Sequence, residues 1–225
     1  MYKLSTALLA LANLAWSNPV PNGGTSNPNT YGLPQIARFE NDPGATPLVA
    51  ANPVDLYLDI FWQGWEVFTF GAAGDPTNLP GVIPQSPDNL ISFGTLDAAT
   101  IDQGTPELTV VYPDTTIDHF SFYSFFFGCV VSSTETAAGV PQTCTVTVTG
   151  FDKNNKQVAK QSFTFTSNGG LNQQMVQARL VGFDNLQRAE FSTKASLLGL
   201  PTTAAISTLG DTFNYTVFSA SPISP

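Results

Sequence analysis

Short apolar segments alternate with turn residues from about position 54 onward, and this pattern predicts strands. Residues rich in Gly, Pro, Asn and Asp separate the segments, and no helical periodicity or long internal repeat is sustained. The predicted strands are residues 55–61, 66–70, 90–93, 108–112, 119–131, 143–151, 158–166, 175–181, 188–192 and 212–219. The sequence therefore predicts one all-β domain, a β-sandwich or jelly roll.

Two of these strands indicate how they are buried. In residues 143–149 every odd position is Thr and the even positions are apolar, which is typical of a strand with one buried and one solvent-exposed face. The segment 119–131 is apolar on both faces, so we expect it to lie centrally and to be covered on both sides. Strict alternation assigns Tyr123, Phe125 and Phe127 to one face and Phe120, Phe122 and Phe126 to the other.

The first residues have the pattern of a secretory signal peptide. A positive start, an apolar run of about 13 residues and small residues at Ala15 and Ser17 predict cleavage after position 17. The run is shorter than the roughly 20 residues of a membrane span, and no later stretch is long enough to span. We expect a signal peptide over 1–17, an extended lead-in rich in Pro, Asn and Gly over 18–53, and the β-sandwich domain over 54–225.

Secretion changes the interpretation of the two cysteines, Cys129 and Cys144. An oxidising compartment allows a stable bridge between them, and the 14 intervening residues include turn-forming Gly139 and Pro141. A metal site would need more ligands, and a catalytic thiol would need a nearby base. The pattern favours one structural disulfide.

Composition and charge exclude some classes of protein. The chain has 17 acidic and 8 basic side chains, 42% apolar residues and only 11% charged residues, which excludes both a disordered chain and a phosphate-driven nucleic-acid binder. No Lys or Arg lies between Arg38 and Lys153. Such an acidic stretch is compatible with neutral glycans or a bound Ca²⁺, and it is equally typical of a solvated acidic face.

The best local candidate for a binding site is an aromatic cluster formed by Tyr57, Trp62 and Trp65. Aromatic rings stack on sugar rings while neighbouring Asp and Asn side chains bind hydroxyls. Trp in a β-sandwich is as often a core residue, so both interpretations stay open.

Signals for catalysis are sparse. The single histidine, His119, has no nucleophile motif beside it, and no His or Cys spacing indicates a metal site. In one extended strand Asp55 and Asp59 would lie about 13 Å apart, beyond either glycosidase geometry, so a hydrolase would need carboxylates from different strands. No catalytic residue is assigned.

One acceptor sequence for N-glycosylation is present, Asn214-Tyr215-Thr216. Strand alternation turns Phe213, Tyr215 and Val217 the other way, so we expect Asn214 to face solvent.

Several segments together resemble a group of small secreted fungal proteins whose domain is similar to galactose-binding-like jelly rolls. The resemblance covers residues 54–219, and its strongest element is the Phe-rich strand ending in Gly128-Cys129 with a second cysteine 15 positions later. The other matching segments are residues 57–65, 86–89, 140–150, 182–191 and 211–215, with Met175.

The resemblance implies a non-catalytic extracellular module in which glycan binding is the most frequent role. It also implies that a structural Ca²⁺ could tie the early strands to the last one, with Asp211 as the candidate on the last strand; no cofactor is assigned. We therefore expect a neutral cell-wall glycan or an extracellular protein as the partner, no nucleic acid and no membrane span. The alternatives are a structural or host-interaction protein without a small ligand and, less favoured, a glycoside hydrolase.

Overall fold

The computed structural model describes residues 30–43, 45–47, 52–70, 81–86, 89–131, 139–197, 200–201 and 206–222. The predicted signal peptide and the first part of the predicted lead-in lie outside these ranges. Within them, no helix combines the length and the apolar composition that a membrane crossing requires.

Strands account for nearly all of the regular structure in the described ranges. They are β1 (Tyr31–Ala37), β2 (Thr46–Pro47), β3 (Asn52–Tyr57), β4 (Ile60–Thr69), β5 (Gly81–Ile83), β6 (Asn89–Gly94), β7 (Glu107–Thr109), β8 (Ile117–Val131), β9 (Val140–Pro141), β10 (Cys144–Phe151), β11 (Gln157–Phe165), β12 (Asn172–Gln174), β13 (Val176–Arg179), β14 (Arg188–Leu197), β15 (Leu200–Pro201) and β16 (Ile206–Ser219). One short helix, α1 (Ala98–Gln103), follows β6. The expected all-β sandwich is confirmed.

The strands form a curled, mostly antiparallel sheet in the order β11-β10-β14-β7-β4-β6-β16-β8-β13. We call β11, β10, β14, β7 and the first half of β4, with β3 at its edge, the front sheet. We call β6, β16, β8 and β13, with β1 beside β16, the back sheet. β4 takes part in both, because residues 61–63 pair with β7 and residues 66–69 pair with β6. Gly64 lies between the two halves with φ 71°, and a Cβ there would be 2.8 Å from a backbone oxygen.

Aromatic rings from the two sheets meet in the core. The Trp62 ring on β4 lies 4.9 Å from that of Phe213 on β16, and the Phe125 ring on β8 lies 5.6 Å from that of Phe191 on β14. These contacts are edge-to-face, the geometry that aromatic pairs favour. The aromatic interior therefore packs the two sheets against each other.

The predicted strand over 55–61 is wrong, because the chain turns back on itself there. β3 and β4 form a hairpin in which Tyr57 pairs with Ile60, and Leu58 and Asp59 make the two-residue turn with φ of 47° and 64°. Two consecutive positive φ values are typical of a type I′ turn, which usually contains Asn or Gly. Leu58-Asp59 carries no such signal, and this is why sequence reasoning extended the strand through it.

The predicted facing of the aromatic residues in β8 is also corrected. Its pairing with β16 shifts register between Asp211 and Tyr215. As a result Phe122 and Phe125, assigned to opposite faces by strict alternation, stack with ring centres 5.7 Å apart. A β-bulge breaks the two-residue period, and a sequence pattern does not show where it falls.

Cys129 and Cys144 form a disulfide with a sulfur–sulfur distance of 1.99 Å, as predicted. Because Cys129 belongs to β8 and Cys144 to β10, the bridge joins the back sheet to the front sheet. Both cysteines are buried.

Part of the predicted lead-in takes part in the fold. β1 lies within 18–53 and pairs with the last strand along its whole length, from Tyr31 opposite Ser219 to Ala37 opposite Phe213. The pairing places the described start of the chain beside its described end.

Candidate functional site

A cleft of about 420 Å³ opens on the outer face of the front sheet. Its floor comes from β4, β7 and β14, and its walls come from the loop after β7 and the turn between β10 and β11. The lining residues are Phe61, Gln63, Glu107, Thr109, Val111, Tyr112, Pro113, Asp152, Lys153, Asn155, Gln187 and Arg188.

Strand alternation explains why the floor residues face outward. Trp62 and Leu108 are fully buried in the core, so the side chains on either side of them on β4 and β7 face away from it. Phe61 lies opposite Thr109, and Thr109 lies opposite Arg188 on β14. Directly opposite residues share one face of a sheet, so the register brings these three side chains together.

Arg188 is the best-connected side chain of the cleft. Its Nη1 donates to Glu107 Oε2 at 3.3 Å and also to Glu190 Oε1, and its Nη2 donates to Asn155 Oδ1 at 2.5 Å. Its guanidinium carbon lies 3.9 Å from the centre of the Phe151 ring. The planar fork of Arg suits such a combination of stacking and multiple hydrogen bonds, and here it fixes the β10–β11 turn to the floor.

The β10–β11 turn is stabilised by hydrogen bonds within the turn. Oδ1 of Asp152 accepts hydrogen bonds from the backbone N–H groups of Asn154 and Lys156, at 2.8 and 3.0 Å. These bonds lower the pKa of Asp152, the Lys156 N–H having the largest effect. This wall of the cleft is therefore preformed.

The other wall, formed by the loop after β7, is held by the β3–β4 turn. The Tyr112 hydroxyl donates to the Asp59 carbonyl at 3.3 Å. The two preceding carbonyls of the turn are also bound by aromatic side chains, that of Leu58 by the Tyr215 hydroxyl at 2.8 Å and that of Tyr57 by the Trp62 indole at 3.0 Å. Three aromatic donors thus hold a turn of uncommon backbone geometry, and one of them lines the cleft.

The charges in the cleft are nearly balanced, although the whole chain has a formal charge of −9. Glu107 and Glu190 both pair with the single positive charge of Arg188, and Lys153 lies beside Asp152 in the chain. Burial raises the pKa of Glu107, while the neighbouring Arg188 acts in the opposite direction. The cleft as a whole offers an environment suited to an uncharged ligand.

The structure corrects the expected sugar-stacking role of Trp62 and Trp65. Trp62 is 0% exposed and Trp65 is 1% exposed, so neither indole ring has a free face for a ligand. Their rings pack edge-to-face with centres 6.2 Å apart and contact Phe213. Burial of the large apolar surface in the core outweighs display at a surface.

Tyr57 lies in a different environment from the other two. It is half-buried, and its ring stacks on that of Phe39 with centres 5.1 Å apart. Burial is the main cause that raises its pKa, and Asp42 adds to it. Tyr57 does not line the cleft, so its predicted contact with a ligand stays a prediction.

The other carboxylates considered for chemistry are dispersed. The Asp55 and Asp59 side chains each accept a hydrogen bond from a glutamine, Gln103 at 3.0 Å and Gln35 at 3.2 Å. Asp59 lies in the turn that follows β3 and not in an extended strand with Asp55, so the separation expected for one strand does not apply. His119 Nδ1 bonds to Asp118 at 2.8 Å, and its ring stacks on Phe218.

Asp211, the calcium candidate, serves a different purpose in the fold. Its carboxylate accepts from the Ser86 N–H at 2.6 Å and from the Ser86 hydroxyl at 2.8 Å, which ties β16 to the segment before β6. Among the described residues, no group of three or more acidic, His or Cys side chains comes together to hold a cation. Both oxygens of the Asp211 carboxylate are engaged by Ser86, and the calcium role of Asp211 stays a prediction.

Asn214 lies on the outer face of the back sheet. Phe213 and Tyr215 on either side are fully buried, whereas Asn214 is half-buried. Strand alternation thus turns the Asn214 side chain away from the core, and its glycosylation stays a prediction.

Sequence reasoning missed the residues that form the cleft. Phe61 and Tyr112 are the last residues of two predicted strands, and Arg188 is the first residue of a third. The sequence assigns none of the three a functional role. Arg188 follows the ordinary polar–apolar alternation of its strand. Its partners Glu107, Phe151 and Asn155 lie far from it in the chain, so their approach could not be read from the sequence.

No protein-family model matches the chain, and no curated protein matches it. Solved structures show partial similarity. A DUF4465 family protein from Bacteroides caccae is 12% identical with a TM-score of 0.49, over 81% of this chain and 98% of that chain. A DUF4465 family protein from Bacteroides ovatus is 10% identical with a TM-score of 0.44, over 84% and 98%.

A third structure, TmCBM61 in complex with β-1,4-galactotriose, is 10% identical with a TM-score of 0.29, over 82% of this chain and 91% of that chain.

Proposed function

We propose that this chain is a secreted, non-catalytic protein that binds neutral carbohydrate in the cleft on its front sheet. The observation that carries the proposal is that apolar and polar side chains line the cleft together. Phe61, Val111 and Tyr112 form the apolar side, and Asn155, Gln187 and Lys153 lie among the polar side chains.

A sugar ring has the same two-sided character as the cleft. Its C–H faces pack on aromatic and aliphatic side chains, and its hydroxyls exchange hydrogen bonds with amides and charged groups. The locally balanced charge favours a neutral sugar, because an anionic one would meet the net acidic surface of the chain.

Binding assays with soluble glucans, chito-oligosaccharides and galactans test the proposal. We expect Phe61→Ala and Tyr112→Ala to weaken binding of the responding glycan about tenfold or more, since each removes an apolar contact of the cleft. Tyr31→Ala is the matched control, because Tyr31 is an aromatic residue 50% exposed on the back sheet. Equal affinity of all four proteins would exclude the cleft as the site.

Secretion is tested separately by expressing the full chain in a secreting eukaryotic host. We expect the exported protein to begin at Asn18 and to carry a glycan on Asn214, both of which mass spectrometry reads directly. Retention of residues 1–17 in an intracellular protein would contradict this part of the proposal.

A hydrolase is the second candidate, because the fold brings two carboxylates together. Glu107 on β7 lies opposite Glu190 on β14. Arg188 bonds to both carboxylates and bridges them, so the pair is arranged as an ion cluster rather than as a free acid and nucleophile. Glycan release from incubated polysaccharide that disappears in Glu107→Gln would establish the hydrolase instead.

A further inference from the structure

We propose, resting on the function above, that the ligand is an extended, unbranched neutral glycan that crosses the strands of the front sheet. The proposal concerns one row of side chains that is longer than the cleft. The row runs Leu56, Phe61, Thr109, Arg188, Phe151, one residue from each of β3, β4, β7, β14 and β10.

The row is continuous because each residue lies directly opposite the next. Leu56 pairs with Phe61, and at the far end Arg188 pairs with Phe151, over which its guanidinium lies. Five strands at a spacing of about 4.8 Å give the row a length of roughly 19 Å. At one sugar per strand spacing, it accommodates roughly four units.

The apolar surface follows this row and extends outside the cleft. Leu56 does not line the cleft, yet it is 56% exposed beside Phe61. A single sugar in the cleft would leave Leu56 in water, whereas a chain extending towards β3 would cover it. Exposed apolar surface in line with a binding cleft indicates a longer ligand.

The groups on the two sides of the row determine how a bound glycan would be oriented. On one side rise the loop with Val111 and Tyr112 and the turn with Asn155. On the other side the neighbouring row is polar, with Gln63 opposite Glu107 and Glu107 opposite Glu190. Apolar surface at Leu56 and Phe61, continued by Arg188 and bounded by polar groups, matches a glycan whose ring faces pack below and whose hydroxyls point sideways.

A neutral glycan suits the row better than an anionic one, because the cation in the row is already paired with carboxylates. Arg188 is the one cation in the row, and it is held by Glu107 and Glu190. A polyanionic chain would have to compete with both carboxylates for that guanidinium.

Calorimetric titration with cello-, laminari- and chito-oligosaccharides of two to six units tests the inference. For the series that binds, we expect affinity to rise with length and to level off near four units. Leu56→Ser should lower the affinity for four or more units about fivefold and leave that for two units unchanged, because only longer chains reach β3. Leu171→Ser is the matched control, since Leu171 is 66% exposed away from the row.

The outcomes separate the two proposals. If oligosaccharides of two and of six units bind equally well while Phe61→Ala abolishes binding, the extended ligand is excluded. Carbohydrate binding in the cleft is then still supported. A Leu56→Ser effect that is the same at every length also excludes the extended chain. Absence of binding for every series and for the parent polysaccharides overturns both.

Discussion

The guanidinium of Arg188 lies over the Phe151 ring, with its carbon 3.9 Å from the ring centre, while its Nη1 donates a hydrogen bond to Glu107. A cation held by a ring on one side and by carboxylates at its edge has its donors fixed before a ligand arrives. This arrangement links the cleft floor, the β10–β11 turn and the ion cluster.

A double-mutant cycle measures that link. We expect Arg188→Ala and Glu107→Ala each to lower the free energy of unfolding, and their coupling energy to be about 1–2 kcal/mol, because the pair is largely shielded from solvent. Urea denaturation of the two single variants and the double variant gives the value. Strict additivity would show that the two side chains contribute independently.

The β3–β4 turn is expected to gain stability from a residue suited to positive φ. Leu58 has a φ of 47°, a conformation that costs a branched side chain about 1 kcal/mol more than Asn. Leu58→Asn should therefore raise the free energy of unfolding by about 0.5–1 kcal/mol, measured by urea denaturation. Leu171→Asn, at an exposed leucine without positive φ, should give no such gain.

Tryptophan fluorescence should report the core rather than the ligand. Of the three tryptophans, Trp16 belongs to the predicted signal peptide, and Trp62 and Trp65 belong to the predicted β-sandwich domain. Both are buried, so we expect blue-shifted emission, weak quenching by iodide and no change when glycan saturates the cleft. Strong quenching by iodide would contradict their placement.

Removal of the disulfide should destabilise the sandwich. The bridge closes a loop between Cys129 and Cys144, 15 positions apart, and ties the two sheets together. The double variant Cys129→Ala/Cys144→Ala should lose about 3 kcal/mol of unfolding free energy in the chain-entropy model. Thermal unfolding with and without the bridge measures this loss, and an unchanged midpoint would contradict it.

Stability should rise when the pH is lowered from neutral. Burial raises the pKa of Asp97, while hydrogen bonds from Ser92 and Ser207 act in the opposite direction; burial is likewise the main cause of a raised pKa at Asp211. Because these two pKa values are higher in the folded protein than in the unfolded chain, the folded protein binds more protons at Asp97 and Asp211. The cost of the buried charge is therefore relieved as the pH falls through the folded pKa.

Urea denaturation between pH 7 and about pH 4 tests this dependence. Asp97→Asn keeps the size of the side chain and removes its titration, so the variant should show a smaller rise than the parent protein. An equal slope in both proteins would rule out Asp97 as a source. Asp152, whose pKa is lowered, acts in the opposite direction, since its stabilising effect is lost only when the pH falls through its own folded pKa.

The sequence predicted the parts of the fold that depend on local pattern. The alternation of Thr with Val in β10 and the long Phe-rich segment of β8 gave strands close to those observed. The two cysteines predicted the bridge, because there was a single pair to form. The prediction of side-chain facing was wrong where a bulge in β8 or a turn without Gly or Asn broke the two-residue period.

By itself, then, the sequence determined the all-β class, most strand positions and the disulfide, because each follows from residues near one another in the chain or from a forced pairing. Only the tertiary structure decided that Trp62 and Trp65 are core residues and that Phe61, Tyr112 and Arg188 share a cleft. The physical reason is that burial depends on what the opposite sheet supplies. The cleft depends on register between strands that are distant in the chain, and no local pattern encodes that register.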